Sequence, residues 1–209
     1  MPAGEDSLAH RRHVCSRVIR QSRDSLTQQL DLEKIFARKA PLHVDLGCGE
    51  GSFLCALAQR LPDKIFLGIE RLLGRIRSSE RKAASLGNVR LLQTESSYAV
   101  RYLLPAGSVE TFYLLFPDPW PKRRHHRRRI VTQDFLTCVH TALEKNGVIY
   151  IATDHLDYFG KINDIAWSTS GFAMVKLDVE LPPSGFELIF RQKGAPIHWL
   201  ALQKVSPVT

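Results

Sequence analysis

Nowhere in the 209 residues does an apolar run approach the roughly 20 residues that a bilayer demands, so no membrane span is expected. The longest runs, residues 53–58 and 111–116, are far too short. The first residues lack an apolar segment and carry Glu5, Asp6, Arg11 and Arg12, which does not suit a secretory signal. Cysteine is scarce: Cys15, Cys48, Cys55 and Cys138 form no C-x-x-C pair, so the reading is a reduced, cytoplasmic protein without structural zinc or a disulfide framework. Repeats, low-complexity tracts and internal linkers are also missing. What remains, 44% hydrophobic and 24% charged residues, suits a globular domain with a substantial core.

Carboxylates are absent from two stretches. Residues 122–129 read Lys-Arg-Arg-His-His-Arg-Arg-Arg, six of the chain's 29 cationic side chains without one acid. The net charge is +8 (29 − 21), and removing these six leaves +2. Residues 11–23 hold Arg11, Arg12, Arg17, Arg20 and Arg23, again with no acid. Cations packed so closely repel one another unless anions neutralise them, which favours nucleic acid as the partner.

The pattern changes near residue 41. Residues 1–40 are polar, basic and weakly periodic, and are read as a partly mobile N-terminal arm with one short helix around residues 26–37. From there to residue 209 the chain reads as a single domain. Short apolar runs at 42–46, 65–69, 89–92, 109–116 and 148–152 alternate with helical spacing at 52–61 and 72–86. This alternation predicts an α/β, doubly wound, mostly parallel sheet. Near the end, residues 185–192 and 196–204 look like two strands joined by Lys193-Gly194-Ala195, an antiparallel edge hairpin.

After the first run comes Asp45-Leu46-Gly47-Cys48-Gly49-Glu50-Gly51, a glycine turn between strand and helix that lets a ligand approach the backbone. Asp45 disfavours a pyrophosphate and attracts an ammonium group, so the loop fits a cationic cofactor better than a dinucleotide. Glu70 ends the next strand, 23 positions after Gly47, where an acid accepts ribose hydroxyl hydrogens. Together these residues describe a site for S-adenosylmethionine. Glu95 falls after the third strand, where an adenine edge is read or where Thr94 or Ser96 caps a helix.

The fourth strand runs into Phe116-Pro117-Asp118-Pro119-Trp120-Pro121 and straight on into the basic octapeptide. The prolines stiffen this turn and hold Asp118 extended beside the cofactor site. These segments, with Gly68-Ile69-Glu70, Ala152-Thr153-Asp154 and Ser184-Gly185-Phe186-Glu187, resemble the bacterial tRNA (guanine-N7)-methyltransferase family, a class I S-adenosylmethionine-dependent family with a Rossmann-like fold. The resemblance covers roughly residues 40–190 and is most specific at residues 116–129. It implies methylation of N7 of a guanine in the variable loop of tRNA, without a metal and without an obligatory protein partner. It places Asp45, Glu70, Glu95 and Asp118 on cofactor positions, and Asp118 also on the catalytic one. Lys122, Asp154 and Ser184 to Glu187 fall on substrate positions. Glu95 and Ser184 depart from the family's usual Asp and Thr by one methylene and one methyl.

Guanine N7 bears a lone pair and no proton, so the reaction needs alignment and charge stabilisation rather than a general base. Asp118 is read as accepting hydrogen bonds from guanine N1–H and the 2-amino group. Lys122, Arg123, Arg124 and Arg127 to Arg129 are read as phosphate contacts. Trp120 either stacks on an extruded base or packs under its loop, and Asp154 faces the cleft or caps a helix starting near Leu156. Two rival readings are an amino-methyltransferase acting on adenine or cytosine and a non-catalytic RNA-binding protein.

Overall fold

A computed structural model describes residues 18–19, 28–177 and 180–205; apart from Val18 and Ile19, the arginine-rich stretch 11–23 lies outside them. Five apolar runs form the parallel strands β2 (Leu42–Leu46), β3 (Ile65–Glu70), β4 (Val89–Gln93), β5 (Val109–Leu115) and β6 (Leu143–Thr153). Every residue of β2 and β3 is buried, the state of central parallel strands covered on both faces. A two-residue strand β1 (Val18–Ile19), within the region read as an arm, pairs in parallel with β4. The other edge holds β7 (Phe172–Val175) and β8 (His198–Lys204), both antiparallel, and the sheet order is β1-β4-β3-β2-β5-β6-β8-β7.

The antiparallel edge pair is present, but one of its strands differs from the sequence expectation. Residues 196–204 do contain β8, whose partner is β7, whereas Gly185–Gln192 is a helix, α7. Its bulky apolar run looks strand-like, but Ser184 caps the segment as a helix. Near the N-terminus, where a helix is expected around residues 26–37, only Leu32–Phe36 (α1) is helical among the described residues 28–37, capped by Asp31.

The parity of the strands sorts side chains between two layers. Val44 and Leu46 of β2 join Leu67 and Ile69 in a core with Phe135, Leu136 and Val139 of α5 (Gln133–Ala142) and Tyr158 and Ile162 of α6 (Leu156–Ser168). On the opposite face, Phe66, Leu91 and Tyr113 pack with Phe53, Leu54 and Leu57 of α2 (Ser52–Arg60) and Ile76 of α3 (Leu73–Lys82). His43 points to this second face and is satisfied by Tyr113 Oη (3.0 Å) and Glu110 Oε2 (2.8 Å). Asp45 shares that parity, but among the described residues no hydrogen-bond donor closes over its carboxylate as Tyr113 and Glu110 close over His43. The chain builds outward from β2 to β4, then returns to place β5 on β2's other side. The carboxyl ends of β2 and β5 therefore diverge into a crevice.

Gly68 of β3 is set by packing. A Cβ there would lie 2.6 Å from Leu54, 2.8 Å from the Cys48 sulfur and 2.9 Å from Leu91. Gly68→Ala is expected to overpack this junction by about 1–3 kcal/mol and lower the melting temperature by roughly 2–10 °C in a thermal scan; an unchanged melt would contradict the packing described.

Candidate active site

The glycine loop is a chain of left-handed residues: Gly47, Gly49 and Gly51 have φ of 82°, 55° and 76°. A Cβ on Gly47 would meet nothing within 4 Å, so that side of the loop opens on the crevice. Gly51 sits behind it, where a Cβ would lie 2.9 Å from Ser79. The loop is anchored to β3 through Gly47 N–H and Cys48 N–H, which both donate to the Ile69 carbonyl (2.8 and 2.9 Å). Ser79 Oγ donates to the Gly49 carbonyl at 2.8 Å, tying α3 to the loop.

Asp45, at the end of β2, is 3% exposed, and burial followed by the neighbouring Glu70 charge pushes its carboxyl up to about 7. Glu70 is also buried; its Oε1 accepts from Leu72 N–H (2.8 Å), and Oε2 lies 3.8 Å from Arg75 Nη1. At the glycine-loop end Asp45 and Glu50 face a single cation, the half-exposed Arg75, while Arg71, Arg75 and Arg128 line the Glu70 end. A cationic ligand bearing hydroxyl groups fits this donor set, and the bare backbone at Gly47 admits it. Glu95, exposed after β4, is itself the cap: it accepts from Ser97 N–H (3.1 Å) and Tyr98 N–H (2.8 Å), so neither Thr94 nor Ser96 holds that position. Among the described residues, no group of three His, Cys, Asp or Glu is placed to hold a metal ion.

Beyond β5, Phe116 and Trp120 both adopt left-handed backbone (φ 54° and 43°) and bracket Pro117-Asp118-Pro119. Such bulky residues occupy this region only when their surroundings compel them, at about 1–3 kcal/mol each. Arg129 supplies much of the compulsion. Its Nε donates to the Pro119 carbonyl (2.8 Å), its Nη2 pairs with Asp157 (2.9 Å), and its guanidinium lies 4.7 Å from the Tyr158 ring centre. Arg129 is 7% exposed, so the reading of it as a phosphate contact is corrected: it braces the turn from beneath. Trp120 packs within the same loop, edge-on to His125 and under Arg128, whose guanidinium lies 4.9 Å away. Asp118 stands exposed at the crevice rim.

Residues Arg123–Arg128 form a short 3-10 helix that leaves Lys122, Arg123, Arg124, Arg127 and Arg128 exposed. Ser184 is the N-cap of α7. Ser184 Oγ accepts from Glu187 N–H (3.1 Å), while the buried Glu187 carboxylate pairs with Arg191 (2.5 Å). Ser184, Gly185 and Phe186 line the crevice, and Phe186 reaches both of its ends. Glu187 does not line it; it holds the helix that does.

Asp45, Gly47, Gly49, Ser184 and Gly185 therefore meet at one end of the crevice, and Glu70, Glu95 and Asp118 at the other. Asp154, half-buried after β6, is not part of this lining, and the cap of α6 is His155, whose ring accepts from Tyr158 N–H (3.3 Å). Sequence reasoning missed Arg75, which lines both ends; its only signal is its place in the first turn of the helix after Glu70. It also missed Arg71, which joins the lining beside Glu70, whereas Arg128, read as a phosphate contact, lines the crevice beside Asp118.

A family model described as "Putative methyltransferase" matches residues 39–193. Curated proteins named tRNA (guanine-N(7)-)-methyltransferase are similar over most of the chain. That of Halorhodospira halophila is 34% identical over 86% of this chain and 81% of its own length, and that of Nitrosomonas europaea 31% over 88% and 84%. The Thermotoga maritima protein is 36% identical over 85% of this chain, which spans only 58% of that relative's length. Among solved structures, the 16S rRNA methyltransferase KamB has a TM-score of 0.61 at 14% identity, covering 86% of this chain and 95% of that one. The aminoglycoside resistance methyltransferase NpmB1 has a TM-score of 0.59 at 18% identity, covering 85% and 95%. At such identities these two share the fold alone. No helix among the described residues is long and apolar enough to cross a membrane.

Proposed function

The chain belongs to the tRNA (guanine-N7)-methyltransferase family, and on that footing we propose that it transfers the methyl group of S-adenosylmethionine to N7 of a guanine in the variable loop of tRNA. One observation carries this reading. A crevice with two buried carboxylates opens, at Asp118, beside an exposed turn of arginines. The first feature suits a cationic cofactor and the second a polyanion.

S-adenosylmethionine, when bound, supplies an electrophilic methyl on sulfur. The chain's residues do the rest. Asp45 receives the ammonium, Gly47 and Gly49 admit the methionine portion, and Glu70 accepts from the ribose hydroxyls. Glu95 borders the adenine side while capping its helix. Asp118 accepts from guanine N1–H and the 2-amino group, which selects guanine and offsets the positive charge that develops as N7 is alkylated. No residue has to remove a proton from N7. Lys122, Arg123, Arg124 and Arg127 hold phosphates, and Ser184, Gly185 and Phe186 close the substrate side, supported by Glu187. Asp154, outside the crevice lining, belongs to the substrate surface beyond it.

The direct test is incubation with labelled S-adenosylmethionine and tRNA lacking the modification, followed by nucleoside mass spectrometry and mapping. The expected product is 7-methylguanosine in the variable loop. A methyl on an exocyclic amino group, or none, would overturn the proposal. The arginine turn has its own readout. Changing Arg123, Arg124 and Arg127 together to alanine should weaken tRNA binding across sequences and flatten log K against log salt by about 2–3 units of slope, leaving the melt unaltered. Arg129→Ala should instead lower the melting temperature, because it leaves the Pro119 carbonyl and Asp157 without their partner.

A further inference from the structure

We propose that Arg75 is the counter-ion for the carboxylate of the cofactor's amino-acid moiety and exchanges Glu70 for it on binding. The inference rests on the cofactor reading above and adds a partner for the carboxylate, a charge which that reading leaves unmatched. Asp45 accounts for the ammonium, but an α-amino acid carries its carboxylate on the same carbon, so both charges must be met within a few ångströms. The glycine-loop end of the crevice is unfriendly to a second anion. Asp45 and Glu50 both line it, and Arg75 is the sole cation among its described lining residues. Lys82, on the same helix, is already engaged with Glu50 (3.3 Å) and Ser52 Oγ (2.7 Å), and Arg71 lines only the Glu70 end.

Arg75 is placed for the task by its backbone. Its carbonyl lies 3.1 Å from Ser79 Oγ, the same hydroxyl that donates to the Gly49 carbonyl, so the base of the side chain is fixed relative to the glycine loop. The guanidinium itself is loosely held. It is 44% exposed, and its 3.8 Å approach to Glu70 Oε2 exceeds hydrogen-bonding distance. A half-exposed pair of this kind contributes little, whereas a planar fork on a carboxylate in a sheltered crevice forms two parallel charge-assisted hydrogen bonds. Ribose hydroxyls arriving at Glu70 would release the arginine as the carboxylate arrives to receive it.

The opposite expectation makes the test sharp: by simple electrostatics, deleting a positive charge beside a cationic ligand should tighten binding. The experiment is calorimetric titration of wild type, Arg75→Gln and Arg75→Lys with S-adenosylmethionine and with its decarboxylated analogue, which keeps the sulfonium and the ammonium. Thermal melts verify folding. Arg75→Gln should weaken S-adenosylmethionine about 10- to 100-fold and leave the analogue unchanged or slightly tighter, with Arg75→Lys intermediate. Wild type should prefer the carboxylated ligand, and the Gln variant should lose that preference. Unchanged S-adenosylmethionine affinity in Arg75→Gln would overturn the proposal and assign the carboxylate to backbone N–H groups. Equal weakening of both ligands would overturn it as well, reducing Arg75 to a brace for the loop. If wild type binds neither ligand, the cofactor reading itself fails, an outcome distinct from both.

Discussion

Asp118→Ala should lower methyl-transfer turnover by roughly 10²- to 10³-fold, the cost typical of removing one group that stabilises developing charge, while changing S-adenosylmethionine affinity no more than about threefold. The separation follows from where the residue stands. Asp118 is exposed at the rim of the crevice and does not line the end that holds Asp45, whereas Asp45 and Glu70, the acids assigned to the cofactor in the proposed function, are buried. Its loop is held by the Arg129 hydrogen bond to Pro119 and by Phe116 packing 5.3 Å from Phe190, neither of which involves the Asp118 side chain. Truncation should therefore leave the turn intact, as near-ultraviolet circular dichroism would report. Asp118→Asn is informative beside it: the amide presents an N–H donor to one of guanine's two donors, so turnover should stay low despite the preserved shape. Near-normal single-turnover rates in the alanine variant would remove Asp118 from the mechanism.

Asp45→Asn should weaken S-adenosylmethionine binding by at least about 100-fold and abolish its pH dependence. Burial, reinforced by Glu70, pushes the Asp45 carboxyl up to about 7, so in the free protein it is neutral below that pH and ionised above. Only the ionised form attracts an ammonium. Wild-type affinity should therefore rise with pH by up to tenfold per unit below 7 and level off above it, with proton release detectable by calorimetry in buffers of different ionisation enthalpy. Stability runs the other way. Because the folded pKa lies above the unfolded value of 3.8, the folded chain binds more protons between roughly pH 4 and 7, and the unliganded protein loses stability as pH rises through that window. Asn at this position removes the loss, so the variant should melt higher than wild type at pH 8 in the absence of ligand. A variant that binds normally, or melts lower at pH 8, would show that Asp45 is neither the ammonium site nor a strained acid. Function and stability are opposed at this residue, as expected where a charge is kept buried for a partner.

Most of the fold was legible because its strongest signals are local. The runs at 42–46, 65–69 and 89–92 are dense enough in Leu, Ile, Val and Phe to specify buried strands whatever surrounds them, and β2 runs Leu42–Leu46 as expected. The error at α7 is instructive. Phe186, Leu188, Ile189 and Phe190 favour a strand by composition, but Ser184 caps the Glu187 N–H and Glu187 pairs with Arg191 one turn on. That signal was present in the sequence at the S-x-x-E spacing and was outweighed by β-prone side chains, three of which are exposed and so do not enforce a strand. Arg129 shows the converse limit. Nothing in Lys-Arg-Arg-His-His-Arg-Arg-Arg distinguishes its last residue from its neighbours, because the distinction lies in Tyr158 and Asp157, nearly thirty residues later.

By itself, then, the sequence determined the candidate residues: the acids at strand ends, the glycines between them, the stiff Asp118 turn and the cations that follow it. These are choices of residue type at short spacing, and short spacing survives without knowledge of the fold. Which of them share a cavity was decided only by the tertiary structure. The return of β5 beside β2 joins Asp118 to Glu70, and α7 lays Phe186 across both ends. The burial that lifts Asp45's affinity for its proton and the packing that turns Arg129 inward arise the same way. Solvent exclusion depends on every layer at once, and no stretch of eight residues encodes it.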